Sequence, residues 1–333
     1  MQVSLWIWVG FIIFVLAMLA IDLGVFNRTP HAPSVREASI WTAVWVSLAV
    51  VFAGGVFFFG GQKVGLEFTT GYLIEYALSV DNIFIFVLLF GFFRVPPQYQ
   101  HRVLFWGILG ALLMRGIMIV LGAALLERFE WIIYVFGAFL IYSGIRLLFQ
   151  KEETEVHPDG NILVRIVRRF MPVTKEYHGQ SFFVRENGIL MATPLLIVLL
   201  IVESTDLIFA IDSIPAIFAV TKDPFIVFTS NVFAILGLRS LYFLLAGVIT
   251  KFYYLRHALS VILTFVGIKM LTPEIAHLLG YEFAIPILVS LGVIVAVLSI
   301  AVVASLIRAR RIGEPGDTPA EAMLHEQQEP GIG

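Results

Sequence analysis

The chain has 333 residues, 59% hydrophobic and 14% charged, with 30 Phe, no Cys and a formal net charge of −2. Soluble domains are nearer half apolar and a quarter charged, so this composition excludes the soluble enzyme classes. The near-neutral charge gives no footing for nucleic acid, and a chain without Cys has no disulfide, thiolate metal site or thiol redox chemistry.

What remains is an all-α polytopic membrane protein, and a spanning helix needs about 20 mostly apolar residues. Residues 1–21 carry no charge and Asp22 closes them. With no basic start and no A-x-A site, this run reads as a retained helix, not a signal peptide. Further runs follow at 38–62, 68–93 (holding Asp81), 103–126 (holding Arg115) and 131–149. The polar connection 150–188 comes next, where Arg165, Arg168 and Arg169 predict an interfacial helix. The sixth run, 189–220, holds Glu203, Asp206 and Asp212; the seventh, 225–250, holds Arg239. A marginal eighth lies at 258–271 and a clean ninth at 283–307. The transmembrane domain is thus expected over 1–311, with a disordered tail at 312–333 rich in Gly, Pro, Glu and Gln.

Nine spans place the loops alternately on two sides. One side collects sixteen Lys and Arg residues, among them Arg28, Arg94, Arg165, Lys251 and Arg311, and the other only Lys63, Arg128, Lys222 and Lys269. Positive charge marks the cytoplasm, so the N-terminus is expected outside and the C-terminus inside. The six Trp fall near expected span ends, as an aromatic belt would, and the seven His fall in loops, interfaces or the tail.

Ser79-Val-Asp-Asn-Ile-Phe84 and Ser204-Thr-Asp-Leu-Ile-Phe209 share the pattern S-x-D-x-I-F at an offset of 125. Gly107 to Arg115 matches Asn231 to Arg239 at 124, and Gly144-Ile-Arg-Leu147 matches Gly267-Ile-Lys-Met270 at 123. Units of three spans, about 68–149 and 189–271, therefore repeat. Because three is odd, the second unit enters from the opposite face, the inverted-repeat construction of many secondary transporters.

A charge near the bilayer centre costs roughly 2.5–3.5 kcal/mol on insertion scales. Glu75, Asp81, Glu203, Asp206 and Asp212 all lie within apolar runs. Asn82 and Ser213 put neutral oxygens beside two of them, and no His lies in either acidic run. Oxygen donors of this kind suit Mg²⁺, Ca²⁺ or Mn²⁺ as substrate. Carboxylates that repel one another are relieved by a cation or by protons, which makes cation/proton exchange natural. Glu203 and Asp206 share a helix face, whereas Asp212 lies about 180° from Glu203. The length of the sixth run and Pro215 predict a break near Asp212–Pro215. Arg115 and Arg239, equivalent in the repeat, read as tethered counter-charges or as structural caps. Asn231 reads as an amide ligand or an interhelical hydrogen bond.

Glu75-Tyr-Ala-Leu-Ser-Val-Asp-Asn82 and Glu203-Ser-Thr-Asp-Leu-Ile-Phe-Ala-Ile-Asp-Ser-Ile-Pro-Ala216 resemble the two signature motifs of the TerC family, closest in character to its Alx-like bacterial members. The resemblance runs from the first span through the ninth. It implies a cation exporter of the lysine-exporter superfamily in the bacterial inner membrane, with Mn²⁺ export against protons as the expected function. On it, Glu75, Asp81, Asn82, Glu203, Asp206, Asp212 and Ser213 are candidate cation ligands. Arg115, Arg239 and Asn231 stand around them. No catalysis and no prosthetic group are expected, and the partners are the lipid bilayer, a divalent cation and protons. The oligomeric state is left open. The alternative is a membrane redox modulator or tellurium-resistance protein without direct metal transport.

Overall fold

The structure, a computed structural model, describes residues 4–24, 34–129, 131–149, 161–186, 188–246 and 253–312. Helix α1 covers Leu5–Gly24. Helix α2, Val35–Phe92, opens at Ser34, whose hydroxyl accepts from the Glu37 amide at 3.2 Å. At 58 residues it is far too long for one crossing, and Gly61 interrupts it with φ 82°. Only glycine takes that left-handed conformation at little cost. The arms 35–60 and 62–92 each exceed the about 20 residues of a span. The second and third expected spans thus meet at Gly61 without an intervening loop, and Lys63 and Glu67 ride on the second arm.

Helices α3 (Pro97–Arg128) and α4 (Ile132–Phe149) follow, then the short α5 (Ile162–Phe170). Strands β1 (Phe183–Glu186) and β2 (Ile189–Ala192) form an antiparallel hairpin turning at Gly188 with φ 81°. Helix α6 is Pro194–Phe218. This corrects two expectations. The first residues of the sixth apolar run are a strand, and the remaining 25-residue helix passes through Pro215 without a break. Pro215 sits three residues from the helix end, so it removes little beyond the hydrogen bond its own amide would have made.

Helices α7 (Pro224–Leu236) and α8 (Leu238–Leu245) meet at Gly237, and α9 (Leu255–Leu278) and α10 (Ile287–Ile312) complete the bundle. The eighth span is longer than its apolar core suggested, because α9 continues through Pro273 and Glu274. Among the described residues, seven helical segments are long and apolar enough to cross a membrane, α7 and α8 counting as one, and Leu5–Ile21 is a shorter apolar helix. The nine expected spans differ from this because α2 takes in two and the first is short. The tail from 313 and the loop residues 150–160 lie outside the described residues.

The α7–α8 stretch is the centre of the molecule, buried along most of its length. Both arms of α2 pack on α7 and α8, α3 packs on α6, and α4 runs closely along α9. Aromatic rings fill the joint between α1, α2 and α7: Phe52 and Phe233 have centroids 4.8 Å apart, with Phe11, Phe68 and Phe225 around them. Trp45 belongs to this core at 4% exposure, not to an aromatic belt, whereas Trp6 is 82% exposed. The α4–α9 seam uses small residues, as close membrane helices do. A Cβ on Gly144 would stand 2.8 Å from the Ser260 carbonyl and the Thr264 amide; one on Gly267 would stand 2.8 Å from the Gly137 carbonyl and 3.0 Å from the Ile141 amide.

Candidate functional site

Helices α2, α3, α6 and α7 converge on Arg115, which α3 holds at 2% exposure. Its Nε and Nη2 donate to the two carboxylate oxygens of Asp206, at 3.1 and 2.9 Å. This is the two-pronged arrangement that suits a planar guanidinium to a carboxylate. Its Nη1 donates to Glu75 and also lies 3.2 Å from the Ser213 hydroxyl and 3.3 Å from the Asn231 amide oxygen. Two protons on that nitrogen face three acceptors, so the site offers more oxygen than the guanidinium can use.

Helix periodicity explains which side chains arrive. Glu75, Ser79 and Asn82 stand at i, i+4 and i+7, so one face of α2 presents all three. Asp206 and Ser213, seven apart, share a face of α6 in the same way. Glu75, Ser79, Asn82, Asp206, Ser213 and Asn231 are each at most 3% exposed. Ser79 was missed by sequence reasoning, although the same spacing marks it. Glu203 lies beside Asp206, with its carboxylate against the bare Gly110 of α3. Any side chain on Gly110 would collide with it.

Several polar atoms here are buried without a hydrogen-bond partner among the described residues: one oxygen each of Glu75 and Glu203, the Ser79 hydroxyl, the Asn82 amide oxygen and the Asn231 amide nitrogen. Such atoms cost free energy unless something meets them. The charge count leads the same way. One guanidinium faces the two carboxyl groups of Glu75 and Asp206, with Glu203 next to them, and a single positive charge can balance only one carboxylate, which leaves the others to protons or a cation.

Asp81, Asp212 and Arg239 do not join this cluster. Asp81 points about a third of a turn away from the Glu75 face and lies in the field of Arg256 on α9. Asp212 accepts from the Ser143 hydroxyl of α4 at 2.7 Å and lies near Arg146. Arg239 lines a small cavity with Glu37, Trp41 and His101. Among the described residues no three Asp, Glu or His side chains form a ready-made metal cage. The interior donors surround an arginine instead.

This arrangement rests on both signature stretches, and comparison with known proteins decides the family. The family model described as "Integral membrane protein TerC family" matches residues 60–312. The chain belongs to the TerC family. Within the family, the chain is 55% identical over 304 residues to the uncharacterized membrane protein STKORF319 of Myxococcus xanthus, covering 91% of this chain and 93% of the relative. It is 47% identical over 306 residues to a Salmonella typhi protein provisionally named a membrane-bound redox modulator, Alx, covering 89% and 92%. The Alx of Escherichia coli K12 is 48% identical over 301 residues, covering 88% and 91%. No solved structure matches the chain.

Proposed function

We propose that this TerC protein is a secondary transporter that moves a hard divalent cation, Mn²⁺ foremost, out of the cytoplasm through the Glu75–Asp206 site in exchange for protons. The observation that carries this is Arg115 itself. A positive charge sits fully buried among two carboxylates, a hydroxyl and an amide oxygen. The guanidinium holds the place a hydrated-free divalent ion would take, and the donors are those such an ion prefers. Arg115 swings aside as the ion enters, and returns, or protons arrive, as it leaves. The preference for Mn²⁺ over Mg²⁺ or Ca²⁺ comes from the family resemblance, because all three accept oxygen ligands.

Alternating access follows from an inverted repeat, and the α4–α9 seam supports one. At the repeat offset of 123, Gly144 corresponds to Gly267, Ile141 to Thr264 and Gly137 to Ser260. Gly144 meets Thr264 and Ser260, while Gly267 meets Ile141 and Gly137. Each contact is the other's counterpart, the signature of a two-fold interface. The same correspondence pairs Arg146 with Lys269. Arg146 lies near Asp212 of the second unit, and Lys269 near Glu67 of the first. These two charge pairs tie the α4–α9 pair to α6 and to α2, as gates around a central site would. The positive-inside bias sets the C-terminus in the cytoplasm.

Titration of the purified protein with Mn²⁺ tests the site. Glu75→Gln and Asp206→Asn are expected to weaken binding by at least about tenfold, the effect of losing roughly 1.4 kcal/mol. Unchanged affinity in both would overturn the assignment. The relatives' name supports a second reading, redox modulation. A chain without Cys then needs a bound redox group, and a chromophore in the purified protein would move the conclusion there.

A further inference from the structure

The helix faces that build the Arg115 site continue past it toward the α2–α3 turn. On α3, Ala111, Gly107, Leu104 and Gln100 precede Arg115 by 4, 8, 11 and 15 residues. At about 100° per residue they stay on one side of the helix. On α2, Phe86 and Phe90 extend the face of Glu75, Ser79 and Asn82 in the same way. On α6, Val202 stands one turn before Asp206, and on α8, Leu238 stands one turn before Tyr242. Phe86, Leu104, Gly107, Ala111, Val202 and Leu238 wall a small cavity, all of them buried. The one charged residue in its lining is Asp206, which Arg115 holds. Gly107 keeps the space open, because a Cβ there would stand 3.1 Å from Val202.

One turn further from Arg115, α8 and α3 are joined. The Tyr242 hydroxyl donates to Gln100 Oε1 at 2.9 Å, and Gln100 Nε2 donates to the Val95 carbonyl at 2.9 Å, in the turn from α2 into α3. The Phe90 ring meets Tyr242 edge-on, with centroids 5.4 Å apart. Two buried rings and a neutral hydrogen bond therefore stand between the cavity and the turn.

The geometry points to this cavity as the closed vestibule between the α2–α3 turn and Asp206, with the Gln100–Tyr242 hydrogen bond as its latch. An apolar constriction refuses a hydrated ion until it widens and wets. A neutral hydrogen bond contributes little net stability, so a latch of this kind opens readily. The positive-inside bias turns the α2–α3 turn to the cytoplasm, which makes the vestibule the entry for export. Its purpose rests on the proposed transport reading, but its geometry does not involve Mn²⁺, and neither does its test.

Because the chain has no Cys, Ala111→Cys in the full-length protein puts a single thiol in the vestibule. Membrane vesicles of both orientations are treated with a permanently charged methanethiosulfonate, which does not cross the bilayer, and modification is read by mass. The thiol should react slowly from the cytoplasmic face and not from the other. Tyr242→Phe keeps the ring but loses the donor, and should speed the reaction several-fold. Gln100→Leu should also speed it, and the two changes together should be no faster than Gln100→Leu alone, because they break the same latch. Reaction only from the opposite face, no reaction from either face, or rates unchanged by both latch variants would overturn the inference. A thiol that reacts as expected in protein that carries no Mn²⁺ would uphold the vestibule and count against the transport reading. Mn²⁺ flux through protein whose thiol stays inert would do the reverse.

Discussion

A guanidinium at 2% exposure is tolerable only while its carboxylates face it. Replacing Arg115 with Ala leaves Glu75 and Asp206 buried without their partner, and breaking a buried pair costs roughly 3–5 kcal/mol. Thermal unfolding in detergent is therefore expected to move to markedly lower temperature. Saturating Mn²⁺ should restore more of the loss than it adds to the wild type, because a bound ion stabilises the folded state by mass action. An Arg115→Ala protein as stable as wild type would contradict the burial argument. Asp212 gives a contrast. In Asp212→Asn the oxygen still accepts from Ser143, but the attraction to Arg146 is gone. Mn²⁺ binding should persist while flux slows, which titration and flux measured side by side will distinguish. At this scale the sequence was informative about faces: the angles that separate Asp212 from Glu203 also separate their contacts. It could not say that Arg115 and not Arg239 meets the acids. The sequence match pairs the two arginines at an offset of 124, and only the packing of α3 against α6 distinguishes them.

Elements were legible wherever apolar length alone decides them, as in α3, α4 and α10. The hairpin was hidden because Ile189–Ala192 extends an apolar run, and hydropathy does not separate a strand from the start of a helix. Its signal was the Asn187-Gly188 dipeptide, a two-residue turn favourite. The joint in α2 was placed at charged residues, whereas the chain turns at the neighbouring glycine. Gly61→Ala forces a side chain into φ 82° and should destabilise the protein by about 1–2 kcal/mol, read as a lower unfolding temperature. Gly144→Ala and Gly267→Ala should each cost about 1–3 kcal/mol by overpacking the α4–α9 seam. Their effects should be similar in size if the seam is two-fold. The loop after α5 makes a separate pH prediction. Tyr177 donates from its hydroxyl to the Phe93 carbonyl at 2.8 Å, and burial pushes the phenol up to about 12. The folded state favours the protonated form, so this contribution holds below pH 10 and fades as pH rises through 12. Unfolding temperatures of wild type and Tyr177→Phe should converge over that interval, and a constant gap would contradict it.

For the molecule as a whole, the central question is whether the buried Arg–acid cluster moves ions. The membrane class followed from composition, and the family from two stretches of sequence. The proposed repeat rests on three offsets that agree within two residues. Its reciprocal glycine contacts could be found only in three dimensions. The most direct measurement is Mn²⁺ entry into proteoliposomes holding a Mn²⁺-sensitive dye, wild type beside Asp206→Asn, with and without a proton gradient. Transport through this site gives flux in the wild type that rises with an opposing proton gradient and falls to the empty-liposome level in the variant. Folded wild-type protein that carries no more Mn²⁺ than empty liposomes, or a variant that carries as much as wild type, would contradict it.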